Sequence, residues 1–196
     1  MRTINLLFLL TISIYGSAQE SDSAYFTFDL TKYENLIESE NHFYYLEDST
    51  KVTLGISNKE YFIQLAPLNS QFSTVYRYYI NTLTLKRSIH FFHDNLIGFE
   101  RQYDESLELI SEHDWEEKFP FSFEDLQVKL MSDYAIDILQ NNRISVNRMS
   151  HSKAYYNIAY PMTESPYGMW KYLQFDGVTG EVLIDIEKEY VGRPNQ

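Results

Sequence analysis

Histidine is the first residue type in this chain that could support metal binding or catalysis. His90 and His93 lie three positions apart in the segment His90-Phe91-Phe92-His93. On a helix, both imidazoles could reach one metal ion. On a strand, which Ile89–Phe92 favours, the odd spacing places the two rings on opposite faces. Since no third ligand is evident, no metal ligand is assigned.

Carboxylates form two further groups. The segment His113-Asp114-Trp115-Glu116-Glu117 combines one histidine with three acids. General acid–base catalysis needs two titratable groups held together in a pocket, so this connector is interpreted as a solvated, charged loop. A second group could offer oxygen ligands to calcium, but it lacks an Asp-x-Asp-x-Asp-Gly loop and is interpreted as solvated strand faces. Its members are Glu100, Asp104, Glu105, Glu108 and Glu112.

The remaining composition excludes several classes of chemistry. The chain has no Cys, which removes thiolate catalysis, Cys-ligated zinc and iron–sulfur clusters. It has no Gly-x-Ser-x-Gly, His-Glu-x-x-His or phosphate-loop motif. Lys plus Arg total 16 against 28 Asp plus Glu, a net charge of −12, which disfavours nucleic-acid binding. We therefore expect a protein that is not an enzyme, with no catalytic, cofactor-binding or metal-binding residue and no cofactor.

Aromatic residues are the one compositional excess, with 17 Tyr, 13 Phe and 2 Trp. Tyr and Trp suit binding surfaces because they combine apolar area with a polar tip. Stacking on sugars could involve Tyr76, Tyr78, Trp115 or Trp170. The other interpretation, which we favour, is that a Cys-free β protein fills its core and its cross-strand pairs with aromatic side chains.

The first eighteen residues predict export. Arg2 precedes the apolar run Ile4–Ile14, and Gly16-Ser17-Ala18 offers a cleavage site before Gln19. The run is shorter than the ~20 apolar residues that a membrane-spanning helix needs. We expect a cleaved signal peptide, a periplasmic or extracellular location, and no membrane span in the mature chain.

Short aromatic runs about ten residues apart predict a meander of antiparallel strands. In the first part of the chain these are Ala24–Asp29, His42–Glu47, Lys51–Ile56, Glu60–Ala66, Thr74–Ile80, Leu85–Phe92, Leu96–Tyr103 and Leu107–Ser111. Further strands are predicted at Lys153–Tyr160, Gly168–Phe175 and Glu181–Glu187. The link 176–180 is predicted to join the last two as a tight hairpin in which Gly180 adopts a positive φ.

Two helices carry start signals. Thr31-Lys32-Tyr33-Glu34 fits a capping box for a short helix. Ser122-Phe123-Glu124-Asp125 fits a second box, and Leu126, Leu130 and Tyr134 then recur on one face. We place this second helix at Phe123–Asp133.

Two stretches resemble known modules. Residues 119–190 resemble a PepSY-like module, because a helix and a strand are followed by YLQFDGVTGEVL. The turn of this last segment carries Asp176, Thr179, Gly180 and Glu181. A second stretch resembles the core of a MORN-type hairpin repeat: Gly98-Phe99-Glu100-Arg101-Gln102-Tyr103-Asp104-Glu105. The repeat unit before it is resembled by Tyr78-Tyr79-Ile80-Asn81 together with Leu85-Lys86. The glycines that such repeats carry near Thr82 and Ser106 are absent here. These resemblances imply a binding or inhibitory role and give no catalytic residue.

Together these features predict an exported α+β protein. Its expected parts are a signal peptide (1–18), a β-rich domain with degenerate MORN-like hairpins (19–118), a PepSY-like module (119–190) and a tail (191–196). In the second part a helix packs on a small antiparallel sheet. The expected function is non-enzymatic recognition or inhibition of another protein, and the alternative is a carbohydrate-binding module that uses surface aromatics.

Overall fold

The computed structural model of the chain describes residues 22–37, 42–57, 59–68, 70–140, 143–150, 152–162 and 168–190. The expected leader and tail lie outside these ranges. The elements in chain order are a 3-10 helix (Asp22–Tyr25), α1 (Leu30–Ile37), β1 (Phe43–Tyr45), β2 (Thr50–Ile56), β3 (Glu60–Pro67), β4 (Phe72–Tyr79), β5 (Leu85–Phe92), β6 (Asn95–Tyr103), β7 (Leu109–Asp114), α2 (Phe123–Tyr134), β8 (Ser145–Met149), β9 (Tyr155–Pro161), β10 (Gly168–Asp176) and β11 (Val182–Tyr190).

The larger sheet is an antiparallel meander in which β1 to β7 pair in sequence order. This confirms the meander prediction, because alternating apolar and polar side chains fix both the strands and their order. The pairing of β4 with β5 shifts by one residue between Arg77 and Tyr78, where β5 carries an extra residue. Because neighbouring strands of the meander pair side by side, side chains from several strands lie on one shared face of the sheet.

One predicted strand was wrong. Residues Ala24–Asp29 form part of the 3-10 helix and then a single bridge from Thr27 to Thr84. The reason is tertiary: Tyr25 stacks on Tyr76 with ring centroids 4.2 Å apart, and Phe28 is buried in the apolar cluster on the sheet. The start of α1 also differs from the prediction, because Asp29, not Thr31, accepts the Lys32 amide at 3.1 Å.

The described residues form two apolar clusters, and both lie on the same face of the larger sheet. The first contains Phe28 and Tyr33 from the N-terminal segment, packed on sheet residues that include Ile63, Tyr78 and Leu85. The register of β2 to β5 places these sheet side chains on one side. The second cluster includes Phe92, which lies on this same side of β5.

The second cluster joins the larger sheet to α2 and to the smaller sheet. Phe92 and Phe123 have ring centroids 4.0 Å apart, and Leu126 and Leu130 of α2 are fully buried beside Ile158 of β9. This cluster therefore contains residues from both sides of the predicted domain division at residue 118.

Helix α2 begins as predicted. Ser122 Oγ accepts the Asp125 amide at 3.1 Å, and the Asp125 carboxylate accepts the Ser122 amide at 3.1 Å. The helix ends at Tyr134, one residue later than predicted, where Ala135 adopts a left-handed φ of 57°. This capping box fixes the helix start within a few residues of sequence, which is why it could be predicted.

The smaller sheet has the strand order β11-β10-β9-β8, and all its pairs are antiparallel. Strand β8 was not predicted, because only Val146 of its five residues is buried and the others are polar or exposed. The predicted hairpin between β10 and β11 is confirmed: Asp176 Oδ1 accepts the amides of Val178 and Thr179, and Gly180 has a φ of +71°. No helix in the described ranges is long and apolar enough to cross a bilayer.

Candidate functional site

The outer face of the smaller sheet is the side that points away from α2. Register places Asn157, Gln174 and Ile184 in one cross-strand row on this face, and Ala159, Tyr172 and Ile186 in the next. Their neighbours in sequence, such as Ile158 and Leu173, point to the buried cluster instead. Alternation along each strand thus produces a two-sided sheet with one covered and one uncovered side.

These rows form a shallow groove of about 530 Å³. Gln174 Nε2 donates to Asn157 Oδ1 at 2.8 Å, which fixes two amide side chains at its centre. Ile184 and Ile186 are 40% and 39% exposed. The side chains of this face that line it are Ser145, Asn147, Asn157, Ala159, Tyr172, Gln174, Ile184, Ile186 and Lys188.

The charge distribution of β11 separates the two sides of this sheet. The groove lining contains Lys188 and no Asp or Glu, in a chain with 28 acidic residues. Asp185 and Glu187 point to the opposite side, where both pair with Lys171. The hydrogen bond from Lys171 holds the pKa of Asp185 below its ordinary value, against the opposing effect of burial. The groove is therefore apolar and amide-rich, and nearly uncharged.

A cluster of charged residues lies on the open face of the larger sheet, the side opposite both apolar clusters. Arg77 pairs with Glu60, to which Lys86 Nζ also donates at 3.4 Å. Arg87 pairs with Glu100 at 2.8 Å. We call these five residues the charged ladder, because they follow one another across strands β3 to β6.

Glu60 and Glu100 are both ionised within the charged ladder. Burial opposes ionisation of Glu60, but Arg77 and Lys86 outweigh it and hold its pKa below the ordinary value. Burial likewise opposes ionisation of Glu100, and the hydrogen bonds from Arg87 and Gln102 outweigh it and lower its pKa. Both carboxylates therefore act as fixed charges that position the arginines, not as proton donors near neutral pH.

Several acidic residues predicted to be solvated have structural partners instead. Glu100 is buried, and Trp115 Nε1 donates to it at 3.3 Å. The Glu116 carboxylate accepts hydrogen bonds from both terminal nitrogens of Arg148, at 2.8 and 3.0 Å. The solvated interpretation was wrong for these two residues, because Arg87 and Trp115 cover Glu100 and Arg148 pairs with Glu116. It is confirmed for Glu105 and Glu108, which are exposed, whereas Glu112 is exposed but pairs with Arg101.

The histidine pair does not converge on a shared site. His90 lies on β5 and its Nδ1 is 3.1 Å from Thr74 Oγ1, whereas His93 occupies the following turn with a φ of 50°. Burial lowers the pKa of His93, so the ring is neutral near neutral pH. Across the described part of the chain, no group of three or more His, Asp or Glu side chains is placed to hold a metal ion.

The four aromatic residues considered for sugar binding have different environments. Tyr76 and Tyr78 are 7% and 1% exposed, so neither offers a ring face to a ligand and the sugar-binding interpretation is wrong for both. Trp115 is half-buried against Glu100 and His113. Trp170 is half-buried on β10, and register places it on the outer face of the smaller sheet with Tyr172.

A second cavity, of about 600 Å³, opens beside the C-terminal end of α2. Burial raises the pKa of both Tyr134 and Tyr160, which line it, so both phenols are protonated near neutral pH. Asp137, also in the lining, accepts the amides of Leu139 and Gln140 and stabilises a turn. Tyr134 Oη donates to Asp185 at 3.2 Å, so this phenol binds a carboxylate outside the cavity lining.

The charged ladder was missed by sequence reasoning. Its signal was Arg77 within the aromatic strand TVYRYYI, and Lys86-Arg87 at the start of the next strand. In comparisons with known proteins, the chain matches no protein-family model, no curated protein and no solved structure.

Proposed function

We propose that this chain is a non-enzymatic protein that recognises another protein through the outer face of its smaller sheet. The observation that carries the proposal is the groove on that face, which keeps Ile184 and Ile186 exposed and has no acidic side chain in its lining. Centres of protein interfaces are depleted in charged residues, and this groove contains a single charged side chain, Lys188.

The energetics of the groove also favour a protein partner. Each buried apolar side chain contributes about 25 cal/mol per Å² of area removed from water, so covering two isoleucines and Tyr172 would stabilise a complex. The Asn157–Gln174 hydrogen bond orders its amides before binding, which lowers the entropic cost of association. The partner is therefore a protein with an uncharged, apolar surface.

Export and the two resemblances support the same role. Residues 1–18 have the features of a cleaved leader, which would deliver the protein to the periplasm or the exterior. PepSY-like modules are associated with inhibition and MORN-like repeats with binding, and both associations are analogies of pattern. In this proposal the PepSY-like module, with α2 packed on the smaller sheet, presents the groove.

The proposal can be tested by photocrosslinking in the native host. A photoreactive amino acid placed at Tyr172 should give one crosslinked protein species. The same amino acid at Val128, which is 63% exposed on α2, serves as the control position and should not give that species. An identical species from both positions, or none from Tyr172, would contradict the proposed surface.

Once the partner is purified, affinity measurements test the groove directly. Replacing Ile184 and Ile186 by Ser should weaken binding by about tenfold or more, the usual effect of truncating apolar groups at the centre of an interface. The matched control is Val128→Ser, an exposed apolar residue outside the groove. Equal losses of affinity in the groove variant and in the control would indicate a general effect on folding. Such a result would contradict the assignment of the groove as the binding surface.

A carbohydrate ligand is the second candidate. Trp170 and Tyr172 favour it, because their rings lie on the outer face and can stack on a sugar. The amides on the same face can hydrogen-bond to sugar hydroxyl groups; they belong to Asn147, Asn157 and Gln174. A glycan array should then show specific binding that Trp170→Ala abolishes. Trp115→Ala is the control, because Trp115 is bonded to Glu100 on the other sheet.

A further inference from the structure

Two arginines lie directly opposite each other on the open face of the larger sheet. Arg77 of β4 and Arg87 of β5 are cross-strand partners, and both side chains point to the same side. Like charges directly opposite on neighbouring strands disfavour a sheet, so this pair requires compensating negative charge.

The carboxylates of the ladder compensate the pair only in part. Glu60 is shared between Arg77 and Lys86, and Glu100 between Arg87 and the neighbouring Gln102 and Trp115. Three cations therefore face two carboxylates, which leaves one net positive charge in a chain of net charge −12. This locally positive position attracts an anion, because the nearest negative charges are already committed.

Hydrogen-bonding capacity also remains on both arginines. The side chains are 38% and 35% exposed, and their ion pairs use Arg77 Nη1 and Arg87 Nη2, whereas each Nε–H is buried without an acceptor among the described residues. A guanidinium carries five N–H groups in a rigid fork that matches the paired oxygens of carboxylate or phosphate. The exposed sides of Arg77 and Arg87 can thus donate to one ligand in addition to their carboxylate partners.

We propose that Arg77 and Arg87 together bind an oxyanion, a phosphate or carboxylate group, on the open face of the larger sheet. The ligand neutralises the opposed charges and accepts hydrogen bonds from both guanidinium groups. This site lies on the other sheet from the groove and does not depend on the proposed function.

The test is titration of the full chain with inorganic phosphate, and separately with glutarate, at low ionic strength. Isothermal titration calorimetry and Trp115 fluorescence report binding, since the Trp115 indole is bonded to Glu100 within the site. Saturable binding of either anion supports the proposal, and the two arms show which oxyanion is preferred. Absence of saturable binding in both arms would overturn it.

Charge-preserving variants separate specific binding from general attraction. Arg77→Lys and Arg87→Lys keep the charge but remove the fork, and each should weaken binding about tenfold, the effect of losing one charge-assisted hydrogen bond. The control is Arg101→Lys, because Arg101 pairs with Glu112 on the opposite face of the same sheet. Unchanged affinity in both ladder variants would overturn the site.

The proposal can also be tested on the unmodified protein, so that the result does not depend on whether a variant folds. The Nε–H resonances of Arg77 and Arg87 should shift in nuclear magnetic resonance spectra as the anion is added, whereas that of Arg101 should not. Shifts of equal size at all three arginines would show non-specific attraction and would also overturn the proposal.

Discussion

Arg148 binds Glu116 through two parallel hydrogen bonds of 2.8 and 3.0 Å, and this pair connects the two sheets. Arg148 belongs to β8 of the smaller sheet and Glu116 follows β7 of the larger one. The guanidinium also donates to the carbonyl oxygens of Leu96 and Trp115 and lies 3.9 Å above the Phe119 ring. It therefore combines charge, hydrogen bonding and stacking at one position.

Removal of this guanidinium should be costly. Arg148 has a side chain that is only 6% exposed, so Arg148→Ala leaves Glu116 and two carbonyl groups without their donor. We expect a loss of about 3 kcal/mol in the free energy of unfolding, measured by urea denaturation. Arg101→Ala removes a surface ion pair and should cost less than about 1 kcal/mol. Similar losses in the two variants would mean that Arg148 does not join the sheets.

The packing of α2 gives a second prediction. Leu130 is fully buried in the cluster between the sheets, so Leu130→Ala should destabilise the protein by about 2–5 kcal/mol. Val128→Ala is the matched control, because Val128 is 63% exposed on the same helix and should change stability by about 0.5 kcal/mol or less. A loss below about 1 kcal/mol for Leu130→Ala would show that this face of the helix is not buried.

The β10–β11 hairpin depends on Gly180. Its φ of +71° disfavours other residues, and a Cβ at this position would overlap the Phe121 ring. Gly180→Ala should therefore lower stability by about 1–3 kcal/mol and shift the Phe121 ring, seen as a change in its nuclear magnetic resonance signals. Gly98 offers a comparison, since its φ is +57° but a Cβ there has open space. A larger loss for Gly98→Ala than for Gly180→Ala would contradict the role of Phe121.

The charged ladder predicts loss of stability in acid. The pKa of Glu100 is lower in the folded protein than its ordinary value of 4.5, because Arg87 and Gln102 outweigh the effect of burial. A group of this kind stabilises the fold above its unfolded pKa, and the contribution disappears as the pH falls through the folded pKa. Stability should therefore decline as the pH falls below 4.5.

The variant Glu100→Gln isolates this contribution. It should be less stable than the unmodified chain at neutral pH, and the difference should shrink as the pH falls from 4.5 through the lower pKa of the folded protein, where the carboxyl group becomes protonated. Thermal unfolding across this range measures both curves. A difference that stays constant with pH would mean that the Glu100 charge does not stabilise the fold. The matched control is Glu112→Gln, because Glu112 is exposed and pairs with Arg101 at the surface.

Most of the strands, the second helix and the last hairpin could be predicted from the sequence because their signals are local, whereas β8, with one buried residue in five, gave no such signal. Alternation of apolar residues marks a strand, Ser122 and Asp125 mark a helix start, and the glycines of 176–180 mark a turn. Each of these signals acts over a few residues. The strand predicted at Ala24–Asp29 fails since its aromatic side chains pack on the sheet, as Tyr25 does on Tyr76, and propensity does not detect this.

The two candidate sites required the tertiary structure. Arg77 and Arg87 meet only in the register that β4 and β5 adopt, with the extra residue beside Arg77, and a shift by one residue would send one side chain to the other face. The side chain of Asn95 accepts the Arg148 amide and donates to the Val146 carbonyl, which connects β6 to β8 across more than fifty positions. The sequence by itself determined the local elements and the net charge, because both follow from neighbouring residues. Tertiary structure decided which charges and apolar groups became neighbours, since distant strands are brought together only by the pairing and packing of the whole chain.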